Sequence, residues 1–177
     1  CDDEKHYHPY TPEDPDFYTT DVFTDKALQW LDEGETRKRP FFLYLAFNAP
    51  HYPLQAWPED IAKYAGVYDA GYNAVRNARH QRQIDMGLID ARTAGLSERE
   101  PLTEWVDLDE KARSRETRKM EIYAAMIDRV DQNIGRLLEK LRKQGRLENT
   151  LIFFAADNGA CAEEASARYA SNKLENF

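Results

Sequence analysis

A short apolar run near the carboxyl end of the sequence constrains the fold most strongly. Residues 150–156 read Thr-Leu-Ile-Phe-Phe-Ala-Ala, and the triplet Asp157-Asn158-Gly159 ends the run. β-Branched and aromatic residues in a run too short for a helix indicate a buried strand. Asp157 and Asn158 would then offer a carboxylate and an amide oxygen at the carboxyl end of that strand, where open α/β sheets bind ligands. The same triplet is also common in plain turns.

A second apolar run, residues 41–47, has the same character and predicts a second buried strand. Helical spacing of apolar residues precedes it at residues 22–31, and Gly34 is expected to end that helix. A longer amphipathic helix is predicted over residues 116–144, with Gly145 as its C-cap, and it leads into the final strand. Helices that alternate with strands apolar on both faces predict an α/β fold, in which a largely parallel sheet is flanked by helices.

The segment after the second predicted strand contains a restrained histidine. Pro50 and Pro53 bracket His51 in the sequence Asn-Ala-Pro-His-Tyr-Pro-Leu-Gln. At the carboxyl end of a strand, this imidazole would face the same crevice as Asp157 and Asn158, where it could donate a proton or hold an anionic oxygen. The alternative is a loop histidine that is hydrogen-bonded to the backbone.

Less regular segments occupy the rest of the chain. Residues 1–16 predict an irregular entry segment, since three prolines and several acids occur there without a period. A short helix is predicted to start near Pro58, and a helical excursion over residues 72–88. Its basic residues form either an anion-attracting rim or a solvated helix face: Arg76, Arg79, His80 and Arg82. Residues 93–109 are expected to form a long, lid-like loop.

The charge balance excludes several classes of partner. The formal net charge is -8, with Lys and Arg interspersed among the acids, so we expect no nucleic-acid partner and no anionic membrane surface. No apolar run is long enough for a transmembrane segment. The two cysteines, Cys1 and Cys161, lack the spacing of a zinc site.

Three motifs in a fixed order resemble the type I sulfatases of the alkaline phosphatase-like superfamily, in particular an arylsulfatase branch. They are Asn48 to Gln55, the helix segment Tyr-Ala-Ala-Met-Ile-Asp-Arg-Val-Asp at residues 123–131, and the run from Asn149 to Gly159. The resemblance implies that residues 1–177 are the central part of a single sulfatase catalytic domain.

This resemblance also implies a chemistry. Type I sulfatases hydrolyse sulfate esters at a formylglycine, with a divalent cation that is usually Ca²⁺. Matched residue by residue, Asp157 and Asn158 take two metal-ligand positions, and His51 takes the position of the histidine that contacts the sulfate or ester oxygen. The implied substrate is an aryl, sugar or small-alcohol sulfate, and the implied compartment is exported or lumenal.

The sequence departs from the family pattern at the nucleophile. The formylglycine motif Cys/Ser-x-Pro/Ala-x-Arg does not occur in residues 1–177, so formylglycine is expected only in a full-length enzyme. The isolated chain is therefore expected not to turn over sulfate esters. Two alternatives remain open: a phosphodiesterase or phosphonate hydrolase of the same superfamily, and a non-catalytic α/β scaffold or binding domain.

Overall fold

Helices make up the regular structure of the residues that the structure describes. The computed structural model describes residues 16–33, 39–98 and 103–159. These ranges contain four α-helices and two short 3-10 helices: α1 (Thr19–Asp32), α2 (Pro58–Ala62), α3 (Gly71–Asp85), α4 (Glu110–Lys143), and the 3-10 turns Trp105–Asp107 and Leu147–Asn149. None of the helices in the described ranges has the length and hydropathy that a membrane span requires.

The described chain divides into two compact units, and the division falls within α4. One unit contains the described residues up to Ala49 together with Val130–Gly159, and the other contains the described residues from Pro50 to Arg129. The first unit therefore holds α1 and the carboxyl-terminal part of α4. The second holds α2, α3 and the amino-terminal part of α4.

In the first unit, α1 buries a stripe of small and apolar side chains. Thr20, Thr24, Ala27 and Leu31 recur at intervals of three and four residues and are all buried, as expected for an amphipathic helix. The buried hydroxyl of Thr24 donates a hydrogen bond to the Thr20 carbonyl, at 3.1 Å. This bond satisfies a polar group that would otherwise be costly to bury.

Polar contacts connect α1 to α4. Asn133 Nδ2 donates to Asp21 Oδ1 at 2.7 Å, and Gln144 Nε2 donates to the Leu31 carbonyl at 2.9 Å. Two ion pairs lie between these contacts along the helices: Arg136 with Asp25, and Lys140 with Asp32. The residue numbers rise together, so the two helices run in the same direction. Because Asn133 is buried, its bond to Asp21 fixes the register more firmly than the exposed ion pairs do.

The predicted α/β fold with a largely parallel sheet is wrong for the described residues. Residues 41–47 and 151–156 contain neither strand nor helix, and no strand occurs anywhere in the described ranges. Their predicted burial is also wrong, since Phe42 is 91% exposed and Phe153 is 85% exposed. A strand exists only through backbone hydrogen bonds to a neighbour about 4.8 Å away. The residue pattern of one segment reports a preference for extended backbone but does not report whether that neighbour is present.

One end of the 41–47 segment contacts other residues of the first unit. The Arg146 guanidinium lies 4.5 Å from the centroid of the Phe41 ring, a cation–π contact. Phe41, Phe42 and Leu43 also line a shallow depression with Ala27, Trp30 and Leu31. Apolar side chains of this segment therefore lie against α1.

In the second unit, one face of α3 holds the chain that follows it. Tyr72, Arg76 and His80 lie at intervals of four residues and so share this face. Arg76 donates hydrogen bonds to the carbonyl and the hydroxyl of Ser97, and His80 Nε2 donates to the Ala94 carbonyl at 2.9 Å. The loop after α3 is therefore attached to the helix by side chains.

The same face of α3 also contacts Trp105. Its ring meets Tyr72 edge to face, with centroids 5.0 Å apart and an interplanar angle of 78°. From α4, Arg113 donates to the backbone carbonyls of Trp105 and Val106, at 3.0 and 2.6 Å. The basic residues of α3 thus divide into two groups: Arg76 and His80 make structural contacts, whereas Arg79 and Arg82 lie on exposed parts of the helix.

Both ends of α4 carry sequence-encoded caps. Asp109 Oδ1 accepts a hydrogen bond from the Ala112 amide at 2.7 Å, which satisfies one of the free donors of the first turn. At the other end, Gly145 has φ +66°, and the Arg146 amide donates to the Leu141 carbonyl at 2.9 Å. That pattern is the Schellman cap, and it confirms the predicted role of Gly145.

The helix predictions are confirmed with shifted boundaries. The structure contains the helices predicted before Gly34, near Pro58 and within residues 72–88. The longest predicted helix, α4, begins at Glu110 rather than Glu116. The helix is amphipathic, as predicted, with Ile122 and Ala125 buried and Ile127 exposed. The predicted entry segment lies outside the described residues except for Asp16.

We expect Gly71→Ala to destabilise the protein more than Gly87→Ala. Both glycines have positive φ, +82° and +69°, so alanine costs about 1 kcal/mol at either position. At Gly71 a Cβ would also lie 2.3 Å from the Trp105 ring, whereas at Gly87 it meets nothing within 4 Å. Displacing Trp105 should add about 1–3 kcal/mol, measurable by urea unfolding. Equal losses for the two variants would contradict this account of the Trp105 contact.

Candidate functional site

His51 lies on the surface of the second unit. Its side chain is exposed. The ring nitrogen Nδ1 lies 2.7 Å from the carbonyl oxygen of the next residue, Tyr52. Because a carbonyl oxygen only accepts hydrogen bonds, Nδ1 is the donor. The ring is therefore held through one nitrogen, and Nε2 is the nitrogen available for a substrate.

The loop that carries His51 is attached to α4 soon after the histidine. Leu54 is buried, and the Gln55 amide donates to the Met126 sulfur at 3.4 Å. Met126 is itself buried on α4. Burial of Leu54 and Ile61 on either side of that bond holds the loop against the unit. An exposed functional side chain on a well-packed support is a common arrangement in binding and catalytic loops.

A buried carboxylate provides the strongest attachment of this region. Asp60, in the first turn of α2, is only 1% exposed. Lys63 Nζ donates to Asp60 Oδ1 at 2.8 Å, and Arg129 Nη1 donates to Oδ2 at 3.5 Å. Since Arg129 belongs to α4, the Asp60 carboxylate joins α2 to α4. Two cationic partners offset the cost of burying its charge.

Lys63 extends the cluster to a second carboxylate. Its ammonium also donates to Asp128 Oδ2 at 2.8 Å, and the Asp128 side chain is 19% exposed. The hydrogen bonds to Asp128 and Asp60 raise the pKa of Lys63 above its ordinary value. The pKa of Tyr64 is raised as well, first by burial and then by the negative charge of Asp128. We call Asp60, Lys63, Asp128 and Arg129 the charge cluster.

Glu121 fixes the turn that follows α2. Its Oε1 accepts a hydrogen bond from the Gly66 amide at 3.1 Å, and its Oε2 accepts one from Arg118 at 3.1 Å. Gly66 has φ +77°, a backbone conformation that favours glycine. The buried Glu121 side chain therefore adds a second polar connection between α4 and the residues after α2.

Asp157 and Asn158 lie in the first unit, and both are exposed. The side-chain amide of Asn158 donates to the Gly159 carbonyl at 2.6 Å. That bond uses the nitrogen end of the amide, so the amide oxygen is the atom that remains for a ligand. The prediction that these two residues and His51 serve one site stays a prediction.

The donor chemistry of Asp157 and Asn158 fits part of a divalent-cation site. A carboxylate and an amide oxygen are ligands that a hard cation accepts, but Ca²⁺ takes six to eight oxygens. Among the described residues, no group of three or more His, Cys, Asp or Glu side chains is arranged to hold a metal. The pair therefore fits as two members of a larger ligand set.

The charge cluster was missed in the sequence. No local pattern in the sequence indicates that Asp128 pairs with Lys63. One local signal was available, since Asp60 lies in the first turn of a helix that begins with proline, next to buried Ile61. Its partner Arg129 is 69 residues away along the chain, and no local pattern predicts such a pair.

Comparisons with known proteins agree with one another. The family model described as Sulfatase matches residues 1–176. The chain is 36% identical over 176 residues to an uncharacterized sulfatase of Schizosaccharomyces pombe, covering 91% of this chain and 31% of that protein. It is 38% identical over 145 residues to an arylsulfatase of Klebsiella aerogenes, covering 82% of this chain and 31% of that protein. It is 26% identical over 161 residues to bovine arylsulfatase K, covering 86% of this chain and 28% of that protein.

Replacing the buried carboxylate should destabilise the second unit. We expect Asp60→Asn to lower the free energy of unfolding by about 1–3 kcal/mol, because the variant removes the charge that Lys63 and Arg129 share and leaves buried hydrogen bonds poorly matched. Asp90→Asn is the matched control, since Asp90 pairs with Arg92 on the surface and such pairs contribute about 0–1 kcal/mol. Urea unfolding measures both. A loss at Asp60 no larger than at Asp90 would show that the charge cluster does not hold α2 to α4.

The charge cluster should also make stability depend on alkaline pH. Lys63 and Tyr64 have pKa values raised above their ordinary values of 10.5 and 10.0. Their contribution is complete below pH 10 and is lost as the pH rises further, because the folded state then holds protons that the unfolded chain releases.

Asp128→Asn isolates this effect, since it removes the main cause of the Lys63 shift and one cause of the Tyr64 shift. We expect the parent protein to be more stable than the variant at pH 8, and the difference to shrink as the pH rises above 10. Urea midpoints across this range measure it. A difference that stays constant with pH would rule out the coupling to Asp128.

Proposed function

The chain belongs to the sulfatase family, and we propose that it supplies part of the active site of a sulfuric ester hydrolase. It spans 31% of the length of the first two relatives described above, so the activity proposed is that of a complete sulfatase catalytic domain. Residues 1–177 would form the central part of that domain.

The hydrogen bond between His51 and the Tyr52 carbonyl carries the proposal. It holds the imidazole through Nδ1, on a loop that Leu54 and Gln55 attach to the second unit. The protonated ring offers an Nε2–H donor to an ester oxygen. As the nucleophile bonds to sulfur, the bond between sulfur and the ester oxygen breaks, its electron pair stays on the leaving oxygen, and the proton passes from Nε2 to that oxygen. His51 would thus stabilise or protonate the leaving group.

Asp157 and Asn158 would hold a divalent cation. The sulfatase family implies such a cofactor, and we propose Ca²⁺, because both side chains supply oxygen donors. When bound, the cation offsets the negative charge of the sulfate group during attack at sulfur. The Gly159 carbonyl accepts a hydrogen bond from the nitrogen end of the Asn158 amide, so the amide oxygen is the atom that would bind the cation.

The nucleophile and the substrate complete the proposal. We propose a formylglycine as the nucleophile, supplied outside residues 1–177 because its motif does not occur in this sequence. The substrate class is a sulfate ester of an aryl group, a sugar or a small alcohol. The Klebsiella aerogenes relative is named an arylsulfatase, so an aryl sulfate is the first substrate to test. An exported or lumenal location is proposed from the habit of the family.

The test is hydrolysis of a chromogenic aryl sulfate by a protein that contains this segment within a complete sulfatase domain. We expect His51→Ala to lower kcat by about 10²- to 10⁴-fold, the usual contribution of a general acid. Asp157→Ala should raise the concentration of Ca²⁺ needed for half-maximal activity. Arg79→Ala is the matched control, since Arg79 is exposed on α3 and should leave both values unchanged.

Two outcomes would contradict the proposal. Full activity of the His51 variant would exclude His51 from the reaction. Faster turnover of the corresponding aryl phosphate than of the aryl sulfate, by the unsubstituted protein, would assign a phosphohydrolase instead.

A further inference from the structure

We infer that the neutral form of His51 carries its proton on Nδ1, and that Nε2 is the atom His51 turns toward the substrate. The inference rests on the proposed function for the role of Nε2, but the position of the proton depends only on the geometry of the chain. It assigns a tautomer and a substrate-facing atom to the candidate catalytic residue.

The Tyr52 carbonyl determines the tautomer. Its oxygen lies 2.7 Å from Nδ1, within the range of a good hydrogen bond. A carbonyl oxygen has no hydrogen to give, so an unprotonated Nδ1 would place two lone pairs against each other. The bond therefore selects the Nδ1–H form. An exposed histidine without such a bond favours the Nε2–H form. The tautomer inferred for His51 is therefore the less common one.

His80 provides an internal comparison of the opposite kind. Its Nε2 lies 2.9 Å from the Ala94 carbonyl, so the same argument places its proton on Nε2. Both histidines belong to the second unit. One sample of the protein should therefore contain both tautomers, each fixed by a backbone carbonyl.

The tautomer has a chemical consequence for recognition of the ester. In the neutral ring, Nε2 has a lone pair, which repels an anionic sulfate oxygen. In the protonated ring, Nε2–H donates to that oxygen while Nδ1–H keeps its bond to Tyr52. The ring can therefore lose or gain a proton at Nε2 without turning, because its orientation is set at the other nitrogen.

Long-range ¹H–¹⁵N NMR on the ¹⁵N-histidine-labelled chain tests the tautomer directly. At pH 8.5, we expect His51 to show a protonated Nδ1 and an unprotonated Nε2, and His80 to show the reverse. The variants His51→Gln and His80→Gln assign the two sets of signals by removing one each. A protonated Nε2 at His51, or an even mixture of tautomers, would overturn the inference whether or not the protein hydrolyses sulfate esters.

A pair of substitutions tests which atom faces the substrate. The glutamine side chain places its amide close to the position of Nε2, and asparagine places its amide close to that of Nδ1. In a complete sulfatase domain, we expect His51→Gln to keep KM for the aryl sulfate within about threefold of the parent, and His51→Asn to raise it at least tenfold. Equal KM values, or the reverse order, would overturn the assignment of Nε2.

The two experiments distinguish a failure of the tautomer assignment from a failure of the proposed function. If the NMR pattern is as expected but the protein does not hydrolyse aryl sulfate, the tautomer stands and the proposed function fails. If hydrolysis depends on His51 but the NMR pattern is reversed, the proposed function stands and the tautomer assignment fails.

Discussion

The second unit depends on the buried carboxylate of Asp60. A charge that is 1% exposed is tolerated only when cations and hydrogen bonds surround it, and Lys63 and Arg129 provide them. Because Arg129 lies on α4, this interaction decides where α2 lies against the longest helix of the chain. The loop between residues 51 and 57 ends at α2, so its far end is fixed by the same interaction. The Gln55 amide and the side chain of Leu54 fix the loop closer to His51.

Hydrogen bonds from polar side chains connect several segments of the described chain. Arg76 and His80 hold the loop after α3 by donating to its backbone, and Asn133 holds α1 by donating to Asp21. Such contacts are directional, and each one fixes the register of two segments. Several large apolar residues of the described chain are exposed, among them Phe42 and Phe153. In this chain, apolar residue type alone is a poor guide to burial.

The sequence predicted elements whose signals are local. Helices could be predicted because their periodicity and caps lie within one segment, as with Gly145 after α4. The sheet could not be predicted correctly, because a strand needs a partner that the pattern of residues 41–47 does not specify. The family could be predicted from the order of its motifs, and the family model confirms it.

The charge cluster was missed because Asp60 and Arg129 are far apart in the sequence, and the structural role of Arg76 was missed because a solvated helix face has the same pattern. The residue types of the candidate site could be predicted from the sequence. The hydrogen bond from His51 to the Tyr52 carbonyl could not, because it depends on the local geometry of the loop.

The proposed function predicts that His51 and Asp157 both contribute to the hydrolysis of one sulfate ester. A double-mutant cycle on aryl sulfate hydrolysis tests it most directly, with kcat/KM measured for the parent, His51→Ala, Asp157→Ala and the double variant. If the two side chains act in the same step, the second substitution should lower kcat/KM much less in the single variant than in the parent protein. The first substitution has then already removed the catalysis that the two residues share. The account therefore predicts a coupling energy of at least about 1 kcal/mol between the two positions. Purely additive losses would contradict it, since they would show that the two residues affect activity independently.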